Sequence, residues 1–340
     1  MNGSKRVRKG RRILGCAVAL VSAALAVGGF ALAMALRPTD RTEPEYVRWN
    51  QAQSLRSALD DLEKRGYVRS AAATHLYARF RRVPQRVSSG TYRLRGGLRP
   101  DALFEILQKP IRQMVRLPET NWASRTARLL ESKGVTTAEE YMRYVNNPQH
   151  FQSFVGFPLP KEGSLEGYLF PDTYDLPPLL GAEQVILRQL RNFERRVIPI
   201  LPEGVDLHRL LTVASMVELE AKLDSERSKI AGVIENRLRR RMRLQIDATV
   251  LYGLQEWRRL TFRDYYETDS PYNTYRIDGL PPGPINSPSL ASIRGALNPD
   301  RHEYLFYVAL PSGEHLFSRT YDEHRQNIRR RQQALRESGQ

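Results

Sequence analysis

The sequence predicts an α+β protein: a single N-terminal transmembrane helix, a small α/β module, and then a mixed α+β domain. Three observations carry that expectation. Residues 13–36 hold no charged side chain. A helix, strand, helix alternation follows between residues 55 and 107. Beyond it, long apolar helical segments mix with a hairpin signal near the C-terminus. Hydrophobic residues make up 41% of the chain and charged residues 26%, a mixture that supports a packed core.

The uncharged run is long enough to cross a hydrocarbon layer of about 30 Å as a helix. A basic tail at residues 1–12, with Lys5, Arg6, Arg8, Lys9, Arg11 and Arg12, precedes it. Positive charge stays on the cytoplasmic side, so the expectation is a single-pass protein of the plasma (inner) membrane. Its N-terminus is then cytoplasmic and the rest of the chain lies outside the cytoplasm. The competing reading is a cleaved signal peptide, with Ala33-Met34-Ala35 as its small-residue site; the length of the run favours an anchor. Cys16, the one cysteine, lies at the start of the run, so the exported part has no disulfide.

Residues 37–114 read as a stalk and a small module. The stalk is polar and runs from Arg37 to about Pro44. Leu55, Ala58, Leu59 and Leu62 then fall at i, i+3, i+4 and i+7, a helix that Gly66 closes. Thr91 to Arg95 reads as a strand, and Leu103, Phe104, Ile106 and Leu107 mark a second amphipathic helix. The strand-like alternation from Ile111 to Leu117 reads as the boundary, with residues 115–340 as the second domain. There Trp122–Ser132 and Ala138–Val145 read as helices, Leu165–Leu176 as an aromatic loop, and Leu207–Lys222 and Ser225–Arg241 as further helices. Pro311-Ser312-Gly313 separates two strand-like runs, Tyr304–Leu310 and His315–Ser318, as a hairpin.

The net charge is +16, of which the tail supplies six, leaving +10 for the remainder. An exported location excludes nucleic acid as the partner and leaves lipid headgroups and the carboxylates of a wall polymer. The six histidines (His75, His150, His208, His302, His315 and His324) have no ligand spacing. There is no phosphate loop and no nucleophile elbow, so neither a metal nor a cofactor is expected and the chemistry falls to carboxylates.

Two of these sit in Met216-Val217-Glu218-Leu219-Glu220-Ala221, on a helix apolar nearly all round, which places it in a core. At about 100° per residue the two glutamates project roughly 200° apart. A carboxyl in such a place has a raised pKa, as a general acid needs. Lys222 at i+4 is a neutralising partner for Glu218, while Glu220 has no cation at i+3 or i+4, which makes Glu220 the better acid. Two buried ion-pair members fit the same pattern equally well. Aromatics interleaved with carboxylates from Ser164 to Tyr174 suit sugar rings, or a loop pinned into the core. Ser270–Arg276 and Gly279–Ile285 form a rigid loop of the kind that often lines sites.

The phrases EGYLFPDTY, ASMVELEA, ERSKIAGVIENRL, LQIDATVLYGL, SPYNTYRIDGLPPGPI and ASIRGALNP occur in this order. In these motifs the chain resembles the endolytic murein transglycosylase family of YceG-like proteins from about Val115 onward. The resemblance implies cleavage of the MurNAc–GlcNAc bond in nascent glycan strands of peptidoglycan, leaving 1,6-anhydro ends and terminating chains during wall assembly. It implies that the small module is LysM-like, that peptidoglycan synthases work alongside, and that Glu220 is the catalytic acid. It carries Glu166, Asp172, Gln245, Asp247, Tyr272 and Asn273 onto the family's other motif positions as site-lining residues, with Glu218 as a supporting neighbour. Ala248 stands where the family has proline, and the Pro118–Trp122 segment lacks the family's Glu-Gly pair.

A lytic transglycosylase manages with one carboxylate, because the sugar's own C6 hydroxyl attacks the anomeric carbon; Asp247 or Asp172 would then stabilise the developing positive charge. Two rivals remain. A water-using muramidase needs a second carboxylate such as Glu166 across the bond. A non-catalytic wall-binding scaffold needs none. The ends produced on digestion separate all three.

Overall fold

The computed structural model describes residues 3–41 and 43–337, without the side chains of residues 3–17; the side-chain readings of the basic tail and of Cys16 therefore lie outside the described residues. By its internal contacts the chain divides into two units. One comprises the residues up to 112 together with 177–179; the other comprises 113–176 and the residues from 180 onward. The architecture is mixed α+β, and each of the sheets among the described residues is a two-stranded antiparallel pair.

The first unit begins with α1 (Gly3–Ala35). Its Val18–Ala35 stretch has a mean hydropathy of 2.2 with no part of it buried against the protein, so it is long and apolar enough to cross a membrane. Next come β1 (Glu45–Trp49), β2 (Gln53–Ser54), α2 (Leu55–Lys64), α3 (Ala71–Phe80), β3 (Arg86–Val87), β4 (Gly90–Leu94) and α4 (Pro100–Leu107). Helix α2 follows the 3.6-residue period read from the sequence: Leu55, Ala58, Leu59 and Leu62 are all buried, and the Ser54 hydroxyl caps its first turn by accepting from the Ser57 amide. The 91–95 strand is β4, one residue earlier than its pattern suggests. Its partner β1, paired from Glu45↔Leu94 to Trp49↔Gly90, was not legible, because only Val47 of its five residues is fully buried. Helix α3 was also missed. Its apolar residues form no clean stripe, and Leu76 and Phe80 face solvent.

The second unit holds β5 (Met114–Leu117), α5 (Ala123–Ser132), α6 (Ala138–Val145), β6 (Asp172–Asp175), α7 (Ala182–Arg196), α8 (Leu207–Glu220), α9 (Arg227–Arg239), α10 (Asp247–Leu254), α11 (Phe262–Glu267), α12 (Leu290–Leu297), β7 (Phe306–Ala309), β8 (His315–Ser318) and α13 (Tyr321–Glu337). The run read as a boundary strand resolves to β5, which pairs with β6 from Met114↔Asp175 to Leu117↔Asp172. Strand β6 lies inside the stretch read as a loop and begins immediately after Pro171.

Helix α8 organises this unit. Leu207, Leu210, Leu211 and Ala214 join one apolar cluster, while Val213, Met216 and Val217 join another. A helix between two cores is buried on every side, which explains its lack of an amphipathic stripe. It ends at Glu220 rather than Lys222, because Ala221 is already extended at φ −79° and ψ 121°. The predicted hairpin forms as β7 and β8, paired from Phe306↔Ser318 to Ala309↔His315. Gly313 in its turn adopts φ +94°, a left-handed conformation that favours glycine.

Candidate active site

Glu220, the last helical residue of α8, is half-buried in the wall of a cleft of about 430 Å³. Gln245, Asp247, Arg237, Tyr275, Tyr307 and His315 share that cleft. The chain leaves α8 in an extended conformation immediately after Glu220, so no further helical turn follows it. Desolvation pushes this carboxyl up to about 7, and the charge on Asp247 pushes the same way. Two groups oppose that rise. The Tyr307 hydroxyl donates to Glu220 Oε2 at 2.9 Å, and the Arg237 guanidinium favours the carboxylate.

Each neighbour is placed by a motif. Arg237 lies near the end of α9, held by donating from Nε to the Leu305 carbonyl and from a terminal nitrogen to the Leu244 carbonyl, both at 2.6 Å. Asn236 beside it donates to the carbonyls of His302 and Tyr304, which fixes the approach of β7 and with it Tyr307. Asp247 opens α10. The Tyr275 hydroxyl donates to its Oδ1 at 2.6 Å and the Tyr265 hydroxyl to its Oδ2 at 3.3 Å. Gln245 adopts φ +51°, and its amide donates to the Thr274 carbonyl. That contact docks the segment before α10 onto the Tyr272–Arg276 loop. Ala248, at the position where the resemblance leads one to expect proline, occupies the first turn of α10, a position that accepts either residue. His315 is buried behind Tyr307, its amide and ring Nδ1–H donating to the two oxygens of Glu226.

The remaining sequence candidates go elsewhere. Glu218 points away from Glu220, as the helix angle requires, but its partner is not Lys222. It accepts from the amide and hydroxyl of Ser289 at 2.9 and 2.6 Å and pairs with Arg227 at 3.4 Å. The helix stops before a turn reaching Lys222 exists, so the i+4 pairing has no geometry. Glu166 is only 4% exposed and does not line the cleft. The Ala123 amide donates to its Oε2 at 2.8 Å, its Oε1 has no hydrogen-bond partner, and burial raises the carboxyl to about 8. Tyr252 opposes that rise, and its ring packs at a tilt against that of Tyr272, with centroids 4.7 Å apart. Asp172 accepts from Asn192 at 2.9 Å and pairs with Arg196, outside the cleft. Asn273 is fully buried and pins its own loop by donating to the carbonyls of Tyr265 and Thr268.

Of the sequence candidates, Glu220, Gln245 and Asp247 therefore share one cleft. Tyr307, Arg237 and Tyr275 were not singled out. Arg237 and Tyr275 lie inside quoted motifs and Tyr307 in the hairpin, but nothing in their spacing reveals the carboxylates they meet. Among the described residues, no group of three or more His, Cys, Asp or Glu is placed to hold a metal ion.

The model of the YceG-like family matches residues 47–330. The chain belongs to the YceG-like family. That match begins well before Val115 and so takes in most of the first unit. An endolytic murein transglycosylase from Bacillus subtilis is 31% identical over 310 residues, covering 85% of this chain and 86% of that protein. One from Streptococcus pneumoniae serotype 2 is 28% identical over 329 residues, covering 86% of this chain but 60% of that longer protein. Among solved structures, a YceG-like protein from Listeria monocytogenes superposes with a TM-score of 0.56 at 29% identity, covering 84% of this chain and 99% of that one. The YceG-like fold thus extends over most of the chain.

Proposed function

We propose that this protein is a peptidoglycan lytic transglycosylase that cuts the MurNAc–GlcNAc bond within glycan strands and leaves 1,6-anhydro-MurNAc ends. The observation that carries the reading is Glu220: a carboxyl raised to about 7 on a cleft wall, hydrogen-bonded by Tyr307. The relatives named endolytic murein transglycosylase support the same reading. Protonated Glu220 gives its proton to the glycosidic oxygen as the C1–O4 bond breaks, and the GlcNAc end departs as an alcohol. The C6 hydroxyl of MurNAc then attacks C1 and returns its proton to the Glu220 carboxylate, so no water is consumed. Intramolecular attack supplies proximity that a bound water would otherwise provide. Asp247 is the group for stabilising oxocarbenium-like charge, since it shares the cleft while Asp172 lies outside it.

In this proposal α1 anchors the protein in the plasma membrane, with the tail in the cytoplasm and the residues after α1 outside. The part of the first unit that follows α1 acts as a LysM-like glycan-holding module, and the enzyme terminates chains beside a peptidoglycan synthase. The water-using alternative has one observation in its favour: Asp247 is a second carboxylate in the same cleft. Digestion of glycan strands in ¹⁸O-labelled water decides between them. Lytic cleavage gives muropeptides with no label at the anomeric carbon, each lighter by one water than a hydrolytic product. Label at most new ends would overturn the lytic mechanism and leave the substrate assignment standing.

Glu220 must begin protonated, so kcat/KM is expected to fall as pH rises through about 7. Tyr307 stabilises the ionised form, so Tyr307→Phe should raise the Glu220 pKa further and move this alkaline limb to higher pH by roughly one unit. An unmoved limb in the folded variant would show that the Tyr307 contact does not tune the acid.

A further inference from the structure

Three large aromatic side chains on and just before α11 face solvent: Trp257 at 52% exposure, Phe262 at 77% and Tyr266 at 56%. Leaving such rings in water forgoes the free energy of burying them, and exposed apolar surface of this kind marks a binding face. Phe262 and Tyr266 are four residues apart on one face of the helix, with ring centroids 4.8 Å apart. The Trp257 ring leans on buried Trp122 at 5.8 Å, and the Arg125 guanidinium lies over both rings.

The segment is held firmly. Arg258 grips both oxygens of Asp264 at 2.7 and 2.8 Å. Thr261 and Asp264 close a capping box on α11, and Asn273 donates to the carbonyls of Tyr265 and Thr268 at its far end. The rings are thus presented on a rigid platform. Tyr265 ties that platform to residues of the cleft. Tyr265, adjacent to Tyr266, donates to Asp247 and packs on Tyr275 at 4.5 Å, and Asp247 lines the same cleft as Glu220.

Charge selects the occupant. Residues 255–267 carry Arg258, Arg259 and Arg263 against Glu256, Asp264 and Glu267, so the platform has no net charge. An anionic lipid surface calls for an excess of basic residues. A sugar ring offers an apolar C–H face that stacks on an aromatic ring, with hydroxyls for the surrounding polar groups.

Resting on the functional reading above, we propose that Trp257, Phe262 and Tyr266 form a sugar-stacking subsite that extends the Glu220 cleft and holds the glycan strand beyond the scissile bond. The test is binding without chemistry, using the full-length chain in detergent with Glu220→Gln as background. Calorimetry with soluble uncrosslinked glycan strands is expected to show Kd weakened at least about tenfold by adding Trp257→Ala, Phe262→Ala and Tyr266→Ala, about 1.4 kcal/mol. Trp257→Phe with Phe262→Tyr should largely restore it, which separates stacking from loss of fold. An unchanged Kd in the triple variant overturns the proposal. So does tryptophan quenching by brominated acyl chains in reconstituted vesicles that the Trp257→Ala substitution abolishes, which would make the face a lipid-docking one. Failure of the wild-type protein to cleave strands would sink the functional reading separately, because binding to the Glu220→Gln chain does not depend on turnover.

Discussion

Glu220→Gln is expected to reduce strand cleavage by at least ~10²–10⁴-fold, the range typical of one acid–base group, and by more if the group serves both proton transfers. The substitution keeps shape and the Tyr307 contact, since the amide oxygen still accepts from that hydroxyl, but it removes the transferable proton. The fold should be indifferent. Glu220 lines an open cleft, and a neutral amide there relieves a carboxyl already disfavoured as an anion. The measurement pairs product analysis of digested glycan strands with a thermal melt. Folded Glu220→Gln protein that keeps most of its activity would end the assignment and move attention to Asp247, the other carboxylate in the cleft.

Gly167→Ala is expected to cost stability heavily, roughly 3 kcal/mol and so about 6–12 °C in Tm, from left-handed backbone strain and overpacking together. Gly167 has φ +88°, and an added Cβ would lie 2.5 Å from Pro284 Cγ and 2.6 Å from Pro284 Cβ. Neither strain has an easy outlet. The following Ile285 amide donates to the Ser215 hydroxyl at 3.0 Å, and Asn286 donates to the Ser215 carbonyl at 2.9 Å, so the Pro284 loop is fastened to α8. Differential scanning calorimetry checks this, and a loss below about 1 kcal/mol would mean that the loop moves away freely. The effect joins two motifs that the sequence shows only as separate phrases: the glycine of EGYLFPDTY is the seat for a proline of GLPPGPI.

Where structure depends on neighbours along the chain, the sequence was informative. The α2 period placed Leu55, Ala58, Leu59 and Leu62 in the core, and the Pro311-Ser312-Gly313 turn located the β7–β8 hairpin. Helix α7 has an equally clear apolar stripe, including Val185, Ile186, Leu190 and Phe193, a local signal of the same kind. Helices α10 and α11 span only eight and six residues, too few to show a clear helical period.

The sequence by itself determined that residues 13–36 form an uncharged apolar run, that α8 is buried, and that Glu218 and Glu220 project to opposite sides of it. These follow from composition and from the fixed angle per helical residue. Only the tertiary structure decided which carboxylate keeps which company. Glu220 meets Asp247 across one cleft and Tyr307 from a strand 87 residues away; Glu218 takes Ser289 and Arg227 in place of Lys222; Glu166 is sealed beside Ala123. Such pairings depend on where α8 stops and on how distant segments pack around it. Because desolvation and nearby charge set a carboxyl's pKa, the packing that brings these groups together also separates the proton donor from its structural neighbours.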